Sequence, residues 1–323
     1  MSATAVLRTP TIVSERPVSG TSPFVFVVGC PRSGTTLLQR MLDNHPLLAV
    51  ANDTHFIPRA LDGFTNSVNP DLTPALVERV RSYHRFDRLG VSDEAVNRAA
   101  SAAADYRGFV SGLYGEFARS KGKPLGGEKT PDYVRRLPLL HELFPSTKII
   151  HIIRDGRDVA LSLLDWATEK KGPGRLKIWS ESPLGTSALW WAWQVSSGRD
   201  AGQILGHDSY CEVIYEKLVA EPEVELQRLA AFLELPYSES MARFHEGKQR
   251  SNPKLSAKKA WLPATSGLRD WRKDFSADDR ALFESLSGEL LADLGYELGA
   301  RAPSTTIRAT ADRLREMWRH ERS

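Results

Sequence analysis

FVFVVGCPRSGTTLLQRML, Phe24 to Leu42, decides the fold. Phe24 to Val28 are five apolar residues, all aromatic or β-branched, the composition of a buried strand. Gly29 through Thr36 follow, with glycines at 29 and 34, and then Leu37, Leu38, Met41 and Leu42 recur at helical spacing. Strand, glycine turn and helix in that order bring turn N–H groups and the positive end of the helix dipole to one point. That point is an anion site.

The spacing matches a Walker A loop, GxxxxGK[ST], with one departure. Gly29, Gly34 and the hydroxyl of Thr36 fit, but Thr35 stands where the lysine belongs. A nucleoside triphosphate loop uses that lysine on the β- and γ-phosphates and pairs the hydroxyl with Mg²⁺. Here the backbone cradle stays and the cation moves upstream, to Arg32. The loop suits a phosphate-like group without the chemistry of a P-loop NTPase. The competing reading is an ordinary strand–helix turn that happens to contain Gly and Ser. The apolar strand, the glycine pair, the arginine and the threonine pair coincide, which weighs against it.

PRSGTT after a strand resembles the 5′-phosphosulfate loop of sulfotransferases that use 3′-phosphoadenosine-5′-phosphosulfate (PAPS). With LLQRMLDNHP behind it, the segment is most similar to the branch holding tyrosylprotein sulfotransferases and many bacterial enzymes. The resemblance runs from about Phe24 to Trp271. It implies an α/β, three-layer P-loop-like fold, a central parallel β-sheet flanked by helices, with helical insertions. It implies transfer of the sulfuryl group of PAPS to an acceptor hydroxyl of a small molecule, glycan or lipid, releasing adenosine 3′,5′-bisphosphate (PAP). No metal is expected, because a sulfuryl group carries less negative charge than a phosphoryl group.

Site residues follow from the same resemblance. Pro31, Arg32, Ser33, Gly34, Thr35 and Thr36 would hold the 5′-phosphosulfate, with Arg32 near the transferring group. Arg154 and Ser162, in IIRDGRDVALS, would hold the 3′-phosphate; eight residues make about two helical turns, so both can face one ligand. Lys129, in GGEKTP, matches a lysine that stabilises charge on the leaving phosphate. Tyr215 opens YEKLVAEP, similar to a segment that packs near the adenine. LSAKKAWLPATSGLRDW resembles the region that closes over the 3′-phosphate. Where the tyrosylprotein branch has a lysine before proline, Leu262 precedes Pro263, which leaves Lys258, Lys259, Ser266 and Arg269 as open alternatives.

The acceptor hydroxyl must lose a proton as it attacks sulfur, and a carboxylate or histidine at a strand end serves. DTHFIPR resembles ETRxIPR of the tyrosylprotein branch and puts Asp53 at the position of its glutamate base. Aspartate is one methylene shorter, so His55 stands as the alternative base. An N-cap role is the competing reading of Asp53. His45 and His151 read as structural.

The whole chain sets outer bounds. With 323 residues and 41% hydrophobic content it can bury a large core. The expectation is a loose leader over 1–22, one domain over 23–300 and a basic helix over 301–323. A helical insertion is expected over about 70–120 and a mobile loop over about 167–186. Strands are expected at Leu47–Ala51, Pro124–Lys129, Lys148–Ile153 and Glu212–Tyr215. Helices are expected at 131–143, Ser187–Leu205, Ala277–Leu294 and Thr305–His320. Strands alternating with helices imply a parallel sheet, with ligands beyond the strand C-termini.

A net charge of +3 suits an anionic co-substrate and does not indicate nucleic acid. Two cysteines, Cys30 and Cys211, make no disulfide framework and point to a reducing compartment. No run of 18 apolar residues predicts a membrane span, and residues 1–22 lack a secretory h-region; the expected location is cytoplasmic. Trp190, Trp191 and Trp193 recur at helical spacing and read as core, whereas Trp166 and Trp179 border the loop where an acceptor would enter. The Arg-rich tail, Arg308 to Arg322, reads as a solvated amphipathic helix, with a subunit contact in a homodimer as the alternative. Two rival functions remain open at this point: a P-loop kinase or NTPase, and a non-catalytic protein that binds an adenosine bisphosphate.

Overall fold

Five strands supply the frame: β1 (Val25–Val28), β2 (Leu48–Asn52), β3 (Leu125–Lys129), β4 (Lys148–Ile153) and β5 (Tyr210–Ile214). The structure, a computed structural model, describes residues 24–167, 171–246, 269–299 and 302–322. The strands form one sheet in the order β2-β3-β1-β4-β5, and every neighbouring pair is parallel. Parallel neighbours need crossovers, and the helices between the strands supply them.

Residues alternate between the two faces. On one face Phe26, Val28, Ala49, Ala51 and Ile149 pack with Tyr106, Phe109 and Leu113 of the helix Tyr106–Ser120 and with Leu137 and Leu140. On the other, Val25, Val27, Val50, Ile150 and Ile152 pack with Leu37, Leu38, Met41 and Leu42 of the helix Thr35–Asp43. Both faces are covered, which makes three layers and explains why β1 and β4 are apolar nearly throughout. The strand order reverses at β1, with β3 on one side and β4 on the other. Ligands of such sheets bind beyond the strand C-termini at this reversal.

Several boundaries shift for local reasons. The stretch 131–143 divides into a 3₁₀ turn, Pro131–Arg135, and a helix, Leu137–Leu143. Pro138 has no N–H to give to a continuous helix. β5 ends at Ile214, and Tyr215 opens the next helix, Tyr215–Ala220. The stretch 167–186, read as loop, carries a 3₁₀ turn at Gly172–Arg175 and a short helix at Ile178–Glu181. The long helix starts at Pro183 and runs to Leu205, because the Ser182 hydroxyl caps it at Gly185 N–H and proline is favourable in a first turn. The insertion holds helices Pro74–Arg81, Asp93–Ala102 and Tyr106–Ser120. The basic tail, Thr305–Arg322, is not solvated all round: Ala311, Leu314 and Trp318 are buried. Leu314 and Trp318 share a cluster with Leu189, Phe283 and Leu291.

A buried histidine and a half-buried one are expected to make the fold acid-sensitive. His151 on β4 is fully buried beside Tyr210, its Nδ1 2.6 Å from the tyrosine oxygen, and burial pushes it down to about 3. Burial, then Arg85, pushes His55 down to about 4. Both are neutral when folded, while the unfolded chain takes up these protons near pH 6.5. Their contribution is therefore complete above pH 6.5 and is lost as pH falls from there toward 3, by on the order of 3 kcal/mol each. Thermal midpoints measured from pH 7 to 4 are expected to fall, and His151→Gln is expected to flatten that slope. An unchanged slope in the variant would refute the assignment to His151.

Candidate functional site

The cradle is a turn with three residues at positive φ. Gly29 has φ 153° and Gly34 φ 94°, and between them Arg32 holds φ 79°. A Cβ on Gly29 would lie 2.4 Å from the Ile152 carbonyl oxygen, and one on Gly34 2.5 Å from the Tyr215 ring. Only glycine lets this turn pass so close to β4 and Tyr215. Ser33 N–H donates to the Cys30 carbonyl at 3.1 Å and closes the turn. The helix Thr35–Asp43 that follows has no side-chain cap and no acidic residue in its first turn. Its dipole end faces the loop uncompensated.

Guanidinium groups crowd around this turn. Arg32 Nε donates to Ser162 Oγ at 2.8 Å, so the helix carrying Ser162 is tied to the cradle itself. Arg154, buried at the end of β4, pairs through Nη2 with Asp158 at 3.0 Å and stacks 4.5 Å from the Tyr215 ring centroid. Arg269 is ion-paired with Asp165. Burial, then Arg269 and Arg154, holds Arg32 below the usual arginine range. Arg154 Nε and Ser33 Oγ are both buried with no hydrogen-bond partner. A buried orphan donor is costly, and an anion bearing two phosphate-like groups fits both.

Beside the cradle lies a carboxylate–ammonium pair. Lys129, at the end of β3 and almost completely buried, places Nζ 3.0 Å from Asp53 Oδ1 and 3.4 Å from Thr36 Oγ1. Asp53 N–H donates to the Lys129 carbonyl at 2.8 Å, which extends the β2–β3 ladder by one step. Asp53 and His55 both adopt left-handed φ, 60° and 63°. His55 Nε2 is 3.8 Å from Asp53 Oδ1, and Arg88 Nη1 is 3.9 Å from Oδ2. The Asp53 side chain keeps 26% of its surface exposed, so an acceptor can reach it. It does not cap the following helix; His55 holds that position, without a side-chain cap.

The strand ends thus bring together Arg32, Ser33, Gly34, Thr36, Asp53, His55, Lys129, Arg154, Ser162 and Tyr215, while Pro31 lies in the turn and Thr35 is buried at its end. Thr35 stands at the Walker lysine position, and a lysine from another strand, Lys129 on β3, reaches the hydroxyl of Thr36. Trp166 stands at the rim, its ring centroid 6.0 Å from the Arg32 guanidinium. Trp190 and Trp191 are core, and Trp179 is half-buried in its short helix. His45 is structural, with Nε2 2.8 Å from the Pro236 carbonyl oxygen.

Lys258, Lys259, Leu262, Pro263 and Ser266 lie outside the described residues, and Arg269 and Trp271 lie inside them. Trp271 N–H donates to Asp158 and its indole N–H to Asp155, and Arg157 stacks 3.7 Å from its ring centroid. Asp158 is the ion-pair partner that i+4 spacing in RDGRD gives Arg154. Arg88, beside Asp53, is a neighbour that no motif marks, because it comes from the insertion. Among the described residues no group of His, Cys, Asp and Glu is arranged to hold a metal ion, and no helix is long and apolar enough to cross a membrane.

The family model described as "Sulfotransferase family" matches residues 23–239. Protein-tyrosine sulfotransferase A of Caenorhabditis elegans is 28% identical over 289 residues, covering 88% of this chain and 70% of that protein. Nodulation protein NoeE of Sinorhizobium fredii is 27% identical over 303 residues, covering 88% and 68%. The sulfotransferase domain of the Synechococcus PCC 7002 olefin synthase superposes with a TM-score of 0.62 at 21% identity, covering 90% of this chain and all of that one. The last likeness concerns the fold.

Proposed function

The chain belongs to the sulfotransferase family, and from that premise we propose that Asp53, Lys129 and Arg32 carry out its chemistry at the strand-end cradle. The enzyme transfers the sulfuryl group of PAPS to an acceptor hydroxyl and leaves PAP. PAPS supplies sulfur already bonded to a good leaving group, the 5′-phosphate.

Asp53 takes the proton of the acceptor hydroxyl, whose oxygen bonds to sulfur as the bond from sulfur to the 5′-phosphate oxygen breaks. Lys129 and Arg32 offset the negative charge that gathers on the departing phosphate. Arg154 and Ser162, with the orphan donors of Arg154 and Ser33, hold the nucleotide's remaining charge. Asp53 is preferred over His55 as base because its carboxylate lies 3.0 Å from Lys129 Nζ and keeps 26% of its surface exposed, against 15% for His55. One observation carries the reading: a single ammonium group lies within 3.4 Å of both the cradle hydroxyl of Thr36 and the carboxylate of Asp53.

The acceptor is proposed to be a small molecule, glycan or lipid hydroxyl. A peptide tyrosine is the second reading, favoured by the name of the Caenorhabditis elegans relative. A reducing, cytoplasmic location is proposed on the two free cysteines, Cys30 and Cys211. The test is incubation with sulfur-labelled PAPS and four acceptors: 4-nitrophenol, an alkyl glycoside, a long-chain alcohol and a tyrosyl peptide. Asp53→Asn is expected to lower transfer by about 10²-fold or more while leaving PAP binding intact. Wild-type rates in that variant would remove Asp53 as base.

A further inference from the structure

Glu128 sits one residue before Lys129 on β3 and is fully buried. A carboxyl group inside a sheet is unfavourable unless its oxygens are all met by donors. Here they are. Oε1 accepts from Thr54 N–H at 2.9 Å and from the Thr130 hydroxyl. Oε2 accepts from the Tyr114 hydroxyl at 2.9 Å, and the Tyr114 oxygen lies 2.9 Å from Thr54 Oγ1. Thr54 is therefore held twice, at its N–H directly and at its hydroxyl through Tyr114.

Thr54 is the residue between Asp53 and His55, both non-glycine residues in left-handed conformation. Such residues keep that conformation only where the surroundings enforce it. The sheet does not need Glu128 for pairing. β2 and β3 are already in register from Leu48 with Leu125 to Asn52 with Lys129, and the contacts to Thr54 and Thr130 fall beyond the end of that ladder.

We propose that Glu128 is a positioning residue for Asp53: it grips Thr54, fixes the turn on either side of it, and so aims the Asp53 carboxylate at Lys129 Nζ and at the acceptor proton. This rests on the reading of Asp53 as base.

The test uses the full chain, labelled PAPS and 4-nitrophenol, with turnover counted as total loss of labelled PAPS so that water as acceptor is included. Glu128→Gln keeps one oxygen for Thr54 and Thr130, and its amide can donate to Tyr114, whose hydroxyl then turns to Thr54. It is expected to stay within about threefold of wild type. Glu128→Ala is expected to lose about 30-fold or more in kcat, with the thermal shift given by PAP unchanged, since displacement of a reacting group by a fraction of an ångström is felt in turnover and not in nucleotide binding. In an Asp53→Asn background, Glu128→Ala is expected to add less than about twofold, because it acts through a base already gone.

Three results overturn the proposal: full additivity of the two substitutions, loss of the PAP shift in step with turnover, or Glu128→Gln as impaired as Glu128→Ala. Should Glu128→Ala fail to fold, Thr54→Val and Tyr114→Phe each break the outer arm alone. Each is expected to cost about threefold in wild type and nothing further in Asp53→Asn; a wild-type rate in both overturns the proposal. Wild-type turnover in Asp53→Asn by itself removes the base assignment. Slow turnover there with an additive Glu128→Ala removes only the role of Glu128.

Discussion

Lys129→Ala lowers the turnover of labelled PAPS by about 10²- to 10³-fold, the scale of removing one preorganised donor from charge that develops in a transition state. Two effects combine. Lys129 Nζ is the cation between Thr36 and Asp53, and its side chain is only 1% exposed, so bulk water cannot replace it without rearrangement. Its loss also leaves the Asp53 carboxylate with weaker partners, His55 at 3.8 Å and Arg88 at 3.9 Å. The aspartate is then free to turn away from the acceptor. The effect belongs in kcat, with the KM for PAPS changing little, because the nucleotide is held mainly by the cradle, Arg154 and Ser162. A loss smaller than about tenfold would show that Lys129 does not face the developing charge.

Gly34→Ala is expected to weaken PAP binding by about 10²-fold or more, read as the near disappearance of the PAP-induced thermal shift. Alanine at φ 94° is strained wherever it occurs, by on the order of 1 kcal/mol or more. Here the new Cβ would also meet the Tyr215 ring at 2.5 Å. The turn must move, or Tyr215 must, and Tyr215 carries Arg154 stacked on its other contact at 4.5 Å. One methyl group therefore disturbs both ends of the nucleotide site. The double variant Gly34→Ala/Tyr215→Ala relieves the clash without relieving the strain, so partial recovery of the shift is expected. Binding of PAP to Gly34→Ala within about threefold of wild type would mean that the cradle's left-handed geometry is not what holds the anion.

Much of this site is legible in the chain. The cradle is written in consecutive residues, and its chemistry is that of the backbone: apolar strand, glycine at 29 and 34, helix. Arg154 and Ser162 are each found from a short similarity, and Ser162 proves to bond Arg32, which no spacing rule connects. Asp53 and Lys129 are each found from a short similarity. That they touch is not, because 76 residues separate them and only the β2–β3 register, Asn52 with Lys129, brings them side by side.

Glu128 shows the limit. In the chain it is a charged residue beside a lysine, and no motif marks it. In the fold it is buried, turned away from Lys129 and bonded to Thr54, Thr130 and Tyr114, three residues from three separate stretches. The basic tail is a second case: its arginines suggest solvent, and only the packing of Leu314 and Trp318 against Phe283 and Leu291 gives it an inner face.

By itself the sequence determined the strand–turn–helix cradle, the parallel sheet and the kind of anion they bind, because these depend on local conformation and on apolar periodicity. The tertiary structure alone decided which cation meets which carboxylate, and what holds the base in its turn. Those contacts depend on sheet register and on the dehydration of ionisable groups, and neither is a property of any short stretch of chain.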